Sequence, residues 1–152
     1  MRLLKPSSKS IGTDNEKIMD QLARFEDIAV VPIPDGCRQI NAHRLIRVKS
    51  PFDRILAKGG AAAFVDYKSC EKAPFSYSQV NLDQVIYLKS LHDKGLVAGY
   101  MVHFRQEDTL VFFNAQALFN LKPRTSLSAA SGISLGSLFA PKISNIFCKE
   151  AS

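Results

Sequence analysis

The chain has 152 residues, and its 20 Lys and Arg side chains against 14 Asp and Glu give a formal net charge of +6. Hydrophobic residues at 46% and charged residues at 22% are ordinary globular values and exclude wholesale disorder. The length suits a single domain, and no apolar run reaches the roughly 18 residues that a membrane span needs. The basic surplus favours a polyanionic partner: nucleic acid, an acidic membrane face or an acidic protein.

The positive charge lies in three segments. Residues 1–10 carry +3, residues 36–58 carry +5 and residues 120–152 carry +3, and the central segment holds a single acid, Asp53. These Lys and Arg side chains could simply form a solvent-exposed face of the protein. Phosphate binding is favoured because the central segment flanks the candidate site described below. The side chains expected to contact nucleic acid are Arg2, Lys5, Lys9, Arg38, Arg44, Arg47, Lys49 and Lys72.

The first residues contain no apolar segment of the kind that a secretory signal has. Cys37, Cys70 and Cys148 are widely spaced without a C-x-x-C pair, which argues against disulfides and a zinc site and suits a reducing compartment. We therefore expect a protein that is not secreted and acts in the cytoplasm or nucleoid, or inside the host cell if it is viral. Residues 1–12 are predicted to form a flexible basic arm before one domain over residues 13–152.

Thr13 and Glu16 have the spacing of a capping box at the start of a helix. The apolar spacing and turn residues then predict, in chain order, a helix over residues 14–26, strands over 28–31 and 43–49, a hairpin of strands over 54–57 and 62–68, a helix over 82–94, strands over 97–104 and 109–113, and a short helix over 115–121. The strand over 43–49 is expected to show one face to the core, and residues 124–137 to form a mobile loop. This order predicts an α/β fold in which a mixed β-sheet is flanked by helices.

Asp53, Asp66 and Lys68 form the candidate site. Asp53 begins the first strand of the predicted hairpin, and Asp66 and Lys68 lie on its second strand. Alternation along a strand puts residues 66 and 68 on one face, while Tyr67 points to the other. A turn at Gly59-Gly60 brings Asp53 back beside Asp66, so two carboxylates and one ammonium group are expected to converge.

This group of side chains suits a magnesium site. Two carboxylates, a backbone carbonyl and waters form the hard oxygen site that Mg²⁺ prefers, and Mn²⁺ is expected to substitute. We assign Asp53, Asp66 and the backbone carbonyl of Tyr67 as metal ligands, with Lys68 orienting or helping to deprotonate a water and neutralising developing charge. A chance pair of surface charges is the alternative, but the apolar residues before Asp66 indicate a position near the core, where charges need partners.

The segments Ser50-Pro-Phe-Asp53 and Asp66-Tyr67-Lys68 resemble the first acid and the D-x-K motif of the PD-(D/E)XK nuclease superfamily. The segments that follow, Phe75-Ser-Tyr77, Leu82-Asp-Gln84 and Val102-His-Phe104, are similar to those of RecU-type Holliday junction resolvases. Position 66 departs from the commoner Glu, and Tyr67 is bulkier than the residue usual between the acid and the lysine.

The resemblance implies a restriction-endonuclease-like core and catalytic roles for Lys68, for Glu16 on the first helix and for Gln84 after the D-x-K strand. For Glu16 the alternative is helix capping, and for Gln84 it is a solvated helix position. It further implies a Mg²⁺-dependent, structure-selective endodeoxyribonuclease that acts as a homodimer on branched DNA, most of all on four-way junctions. Two other functions stay open: a nuclease of the same superfamily that cuts flap, nicked or duplex DNA, and a DNA-binding module that does not cleave.

Overall fold

The computed structural model of the protein describes residues 8–148, with side chains from residue 14 onwards. Its α-helices and strands are α1 (Ser8–Phe25), β1 (Ala29–Pro32), β2 (Gly36–Asn41), β3 (Arg44–Val48), β4 (Arg54–Lys58), β5 (Ala61–Cys70), β6 (Phe75–Ser76), α2 (Leu82–Asp93), β7 (Val97–Phe104), β8 (Thr109–Asn114), α3 (Ala115–Asn120), β9 (Ser126–Leu127) and β10 (Ile133–Ser134). Short 3₁₀ helices cover Tyr77–Gln79, Ala129–Ser131 and Ile143–Phe147. None of the helices in the described range has the length and apolar character to cross a membrane.

A mixed sheet with the strand order β1-β4-β5-β7-β8-β10 forms the centre of the described chain. β5 and β7 pair in parallel, while the other neighbours are antiparallel. A parallel pair needs a long crossover, and here the crossover contains α2. β4 and β5 are joined instead by a tight turn at Gly59 and Gly60, whose φ angles of 58° and 80° favour glycine.

Each face of the sheet packs on a separate apolar core because side chains alternate along β5 and β7. The core on the α1 face includes Met19, Ala23, Val65, Tyr67 and Met101. The core on the α2 and α3 face includes Val85, Leu88, Tyr100, Val102 and Leu118. Tyr67 thus faces α1, while Asp66 and Lys68 lie on the side of α2, so the predicted opposite facing of Tyr67 and its two neighbours is confirmed.

The predicted α/β class is confirmed, and so are the hairpin, the second helix and the two strands that follow it. The mobile loop predicted over residues 124–137 is wrong, because this segment supplies β9 and β10. β9 pairs with β6, and β10 adds an edge strand to the main sheet beside β8. Backbone hydrogen bonds to β6 and β8 therefore order a segment whose Ser and Gly content is typical of a loop.

The first helix begins at Ser8, six residues before the predicted start at Asp14. Thr13 lies inside the helix, so the prediction that it caps the helix together with Glu16 is wrong, and the side chain of Glu16 is free for another role. The predicted arm over residues 1–12 overlaps the first turns of α1, and residues 1–7 lie outside the described range.

Residues 36–48 form a two-stranded antiparallel ribbon of β2 and β3, which we call the basic ribbon. The sequence predicts a single strand over 43–49 with one face on the core, and this is wrong, because every residue of both strands is exposed. The base of the ribbon is held by Asp35, whose Oδ1 accepts a hydrogen bond of 2.8 Å from the backbone N–H of Ser50 and whose Oδ2 lies 3.1 Å from Nε of Arg47. The ribbon therefore projects from the domain beside the start of β4.

Candidate active site

A cleft of about 510 Å³ opens where α1, the start of β4, the middle of β5 and the base of the basic ribbon meet. Its lining is mostly charged and polar: Glu16, Ile33, Pro34, Asp35, Arg47, Lys49, Ser50, Asp53, Arg54, Asp66, Tyr67 and Lys68. The cleft brings together Glu16, Asp53, Asp66, Tyr67 and Lys68 of the predicted site residues.

The β4–β5 hairpin brings Asp53 close to Asp66. The outermost pair of the ladder is Arg54 with Val65, and Asp53 directly precedes it. The start of the hairpin is fixed by two hydrogen bonds: the N–H of Asp53 donates to the carbonyl oxygen of Val65 at 3.1 Å, and the N–H of Tyr67 donates to Oδ2 of Asp53 at 3.0 Å. The N–H and C=O of a strand residue point to the same neighbouring strand, so the Tyr67 carbonyl is directed past the end of β4 near these acids.

Asp66, Lys68 and Gln84 form a closed ring of polar contacts. Nζ of Lys68 lies 2.7 Å from Oδ2 of Asp66 and donates to Oε1 of Gln84 at 3.3 Å. The Gln84 amide nitrogen donates in turn to Oδ1 of Asp66 at 3.1 Å. Gln84 is only 3% exposed and stands in the first turn of α2, where its backbone N–H is capped by the side chain of Asn81. It is therefore not a solvated helix residue.

Burial and neighbouring charge shift the protonation of this ring. Burial, together with the adjacent carboxylate of Asp53, raises the pKa of Asp66 to about 7, although the Lys68 charge opposes the shift. For Lys68, burial disfavours the ammonium form, but the charge and hydrogen bond of Asp66 outweigh it and raise the pKa of the lysine. At neutral pH Lys68 therefore keeps its positive charge.

Tyr100 completes the inner wall of the site and is a residue that the sequence analysis missed. Its hydroxyl donates to Oε1 of Gln84 at 3.3 Å, and its ring lies 4.9 Å from Nζ of Lys68, within the range of a cation–π contact. Tyr100 is fully buried and stands opposite Asp66 in the parallel pairing of β5 with β7. No local sequence signal singles it out, because the contact depends on a long-range strand pairing.

Glu16 reaches the cleft from α1. Glu16 and Asp53 line the same cleft, and burial, followed by the charge of Asp53, raises the pKa of Glu16. Nη2 of Arg54 lies 3.7 Å from Oε2 of Glu16. This position is compatible with the predicted role in metal or water binding and leaves the capping role without support.

The donor set fits a hard divalent cation. In the described part of the chain no three His, Cys, Asp or Glu side chains form a complete metal cluster by themselves. However, the cleft gathers the carboxylates of Glu16, Asp53 and Asp66, and of these Asp53 forms no ion pair among the described residues. Mg²⁺ accepts one or two carboxylates and completes its coordination with carbonyls and waters, so Asp53, Asp66 and the Tyr67 carbonyl could hold it.

The predicted nucleic-acid contacts are only partly gathered at this site. Arg47 and Lys49 line the cleft, and Arg38 and Arg44 are exposed on the basic ribbon. Lys72 is exposed in the connection that follows β5. Arg2 and Lys5 lie outside the described residues, and Lys9 belongs to the first turn of α1, where side chains are not described.

Comparison with known proteins adds information on the fold. No protein-family model and no curated protein matches the chain. Among solved structures, it is similar to Hjc of Archaeoglobus fulgidus, a Holliday junction resolvase from an archaeal hyperthermophile, with a TM-score of 0.58 and 17% sequence identity over 81% of this chain and 95% of that chain. At this identity the likeness shows the fold alone: a mixed α/β sheet flanked by helices, like that of the archaeal resolvase. The resemblance to the PD-(D/E)XK superfamily and to its RecU-type resolvases stays a prediction.

The buried ion pair gives a test of stability. Replacing Lys68 by Met should lower the free energy of unfolding at pH 7 by about 2 kcal/mol, because Asp66 then lacks its counter-charge or must take up a proton. The double variant Asp66→Asn/Lys68→Met should lose less than Lys68→Met alone. Urea denaturation followed by circular dichroism measures both values.

The matched control is Lys89→Met, which removes the partner of an exposed acid, Asp93, at 2.6 Å within α2. Such helix pairs contribute about 0.3–0.5 kcal/mol, so the control should change little. Equal losses for Lys68→Met and Lys89→Met would show that Asp66 does not depend on Lys68.

Proposed function

We propose that the protein is a Mg²⁺-dependent, structure-selective endodeoxyribonuclease that resolves four-way DNA junctions by paired hydrolysis of phosphodiester bonds. The observation that carries the proposal is the convergence of Asp53, Asp66 and Lys68 in one cleft beside the basic ribbon. The nuclease fold agrees with it, and the similar solved structure is itself named a Holliday junction resolvase.

In this proposal Asp53, Asp66 and the Tyr67 carbonyl would hold the metal ion. When bound, Mg²⁺ supplies polarisation of the scissile phosphate and a more acidic water. The N–H of Tyr67 fixes one oxygen of Asp53 at 3.0 Å and so restricts the rotation of that carboxylate. Gln84 and Lys68 restrict Asp66 in the same way, so both acids are oriented before the metal and the DNA bind.

Lys68 acts as a permanent cation. Its raised pKa favours the neutralisation of charge that develops on the phosphate over the removal of a proton from water. Two of its three N–H donors are used by Asp66 and Gln84, which leaves one to meet the phosphate or the attacking water. Glu16, whose pKa burial and Asp53 raise, is the group that can accept the proton of that water.

The basic ribbon is the element proposed to hold the DNA. Arg47 and Lys49 line the cleft, so they can bind phosphates that flank the scissile bond. Arg38 lies on the opposite face of the ribbon from Arg47. Arg47 is paired with Cys37, and Arg38 is paired with Ile46 in the next position along the two strands. Basic side chains on both faces suit a ribbon that DNA contacts from two sides, as at the centre of a branched junction.

A homodimer follows from the substrate in this proposal. A four-way junction has two-fold symmetry, and its paired cleavage requires two active sites related by the same symmetry. Flap, nicked or linear duplex DNA would need one site alone. The choice among these substrates therefore rests on experiment.

The proposal predicts cleavage that depends on both metal and the two acids. Labelled four-way junction, flap and linear duplex are incubated with Mg²⁺ or with EDTA. The wild type should cut the junction fastest, and only with Mg²⁺. Asp53→Asn, Asp66→Asn and Lys68→Ala should each slow cleavage by about 100-fold or more, because each removes a group that binds the metal or stabilises the transition state. Junction binding in EDTA should persist in all three variants.

The control is Asp93→Asn, an exposed acid near the end of α2 distant from Gln84. It should cleave like the wild type. Junction binding without metal-dependent cleavage would identify a DNA-binding module that does not cut. Equal cutting of junction and duplex would agree with the proposed metal site and contradict the proposed selectivity for junctions.

The basic ribbon, together with Lys49 directly after it, predicts a salt dependence. The double variant Arg44→Gln/Lys49→Gln should weaken DNA binding at low salt and reduce the slope of log K against log salt concentration by about 2, because two phosphate contacts are lost. Fluorescence anisotropy over 50–300 mM salt, roughly the range where the slope is well determined, measures it.

The matched control is Lys94→Gln/Lys142→Gln, two exposed lysines outside the cleft lining. The net charge falls by the same amount in both double variants. If both slopes fall equally, overall charge and not the ribbon determines binding.

A further inference from the structure

Behind the two acids of the cleft, α1 is tied to the hairpin by a cluster of three side chains. The hydroxyl of Tyr67 donates to Oδ1 of Asp20 at 3.0 Å. Nε of Arg54 donates to both carboxylate oxygens of Asp20, at 3.0 and 3.2 Å. The side chains of Arg54 and Asp20 are each 13% exposed, so this cluster is largely removed from water.

The same guanidinium group reaches forward to the candidate site. Nη1 of Arg54 donates to the carbonyl oxygen of Asp53 at 3.0 Å, and Nη2 lies 3.7 Å from Oε2 of Glu16. Glu16 and Asp20 are one helical turn apart on α1 and therefore project from the same face. A single Arg side chain thus contacts the helix that carries Glu16 and the backbone that carries Asp53.

The electrostatics of Arg54 agree with a fixed position. Burial disfavours its charged form, but the hydrogen bonds and charge of Asp20 outweigh this and raise the pKa of the guanidinium. Its central carbon also lies 5.3 Å above the Tyr67 ring, a cation–π distance. The planar fork of an arginine can serve three acceptors in fixed directions, which a lysine ammonium at the end of a flexible chain does not do.

We propose that Tyr67, Asp20 and Arg54 form a positioning network, which holds Glu16 and the backbone of Asp53 in place for metal binding. The inference rests on the proposed function, because it assigns the network to the metal site of that function. It also gives a reason for the bulky residue between Asp66 and Lys68. The Tyr67 side chain points to the α1 face, where its hydroxyl secures Asp20, while its backbone serves the site on the other side.

The test measures the affinity of Mn²⁺ for the protein without DNA, by isothermal titration calorimetry. Asp20→Asn should weaken Mn²⁺ binding about tenfold, because it frees Arg54 and hence Glu16, and residues that orient metal ligands typically have effects of this size. Tyr67→Phe removes one hydrogen bond and retains the ring, so it should weaken binding about threefold. Asp14→Asn, an exposed position on the same helix, should leave the affinity unchanged.

A second set of variants tests whether the network acts through Glu16. In a Glu16→Gln background, Asp20→Asn should weaken Mn²⁺ binding by about threefold or less, since much of its effect has already been removed. The melting temperature of every variant is recorded as well. A purely structural role would lower the melting temperature and leave the Mn²⁺ affinity unchanged, which overturns the inference. A full tenfold effect of Asp20→Asn in both backgrounds also overturns the route through Glu16.

Failure of the proposed function gives a different result. If the wild type binds Mn²⁺ but cuts no DNA, the nuclease proposal falls, while the affinities of the variants still decide the role of the network. If the wild type binds no Mn²⁺, the metal site and the positioning network fall together.

Discussion

The antiparallel pairing of β4 with β5 is the constraint on which the candidate site depends. The pairing of Arg54 with Val65, with the hydrogen bond from the Tyr67 N–H to the Asp53 carboxylate, brings Asp53 close to Asp66, although they are thirteen positions apart in the chain. A shift of one residue in this register would turn either acid to the other face of the sheet. The register is held by the Gly59-Gly60 turn and, at the other end, by the hydrogen bond from the Tyr67 N–H to the Asp53 carboxylate. Asp53 therefore holds the open end of the hairpin together and also lines the cleft.

Two carboxylates in a largely buried place repel each other, and the surrounding side chains limit that repulsion. Lys68 compensates Asp66 from the side of α2, and Arg54 compensates Asp20 and Glu16 from the side of α1. Burial, with a smaller contribution from the charge of Asp53, nevertheless raises the pKa of Asp66. A site that gathers three carboxylates next to an exposed basic ribbon can hold a divalent cation within reach of a polyanion. The fold of the chain, shared with an archaeal junction resolvase, is compatible with this use.

The local parts of this arrangement could be predicted from the sequence, and the long-range parts could not. The hairpin, its turn and the alternation of Asp66, Tyr67 and Lys68 are encoded within about 20 residues, so their placement follows from strand geometry. Tyr100 and the orientation of Gln84 depend on how α2 and β7 pack against β5, which no local pattern specifies. Asp20 stands one turn after Glu16 on the same helix face, and this spacing was the available signal for its proximity to the site.

The errors have physical reasons as well. The exposed apolar residues Leu45, Ile46 and Val48 imitate the alternation of a strand with one face on the core, but they belong to a ribbon with no core beneath it. The capping box at Thr13 and Glu16 is a local preference that the longer α1 overrides, because helix formation continues back to Ser8. Both errors concern the boundary between the domain and the elements that extend from it.

The central claim is that Asp53 and Asp66 bind one divalent metal ion between them. Crystals of the wild type and of Asp66→Asn, both soaked in Mn²⁺ and measured with anomalous diffraction, test it most directly. The expected result is an anomalous peak in contact with both carboxylates in the wild type and its loss in the variant. A wild-type cleft without a peak at saturating Mn²⁺, or a peak that touches neither acid, would contradict the claim.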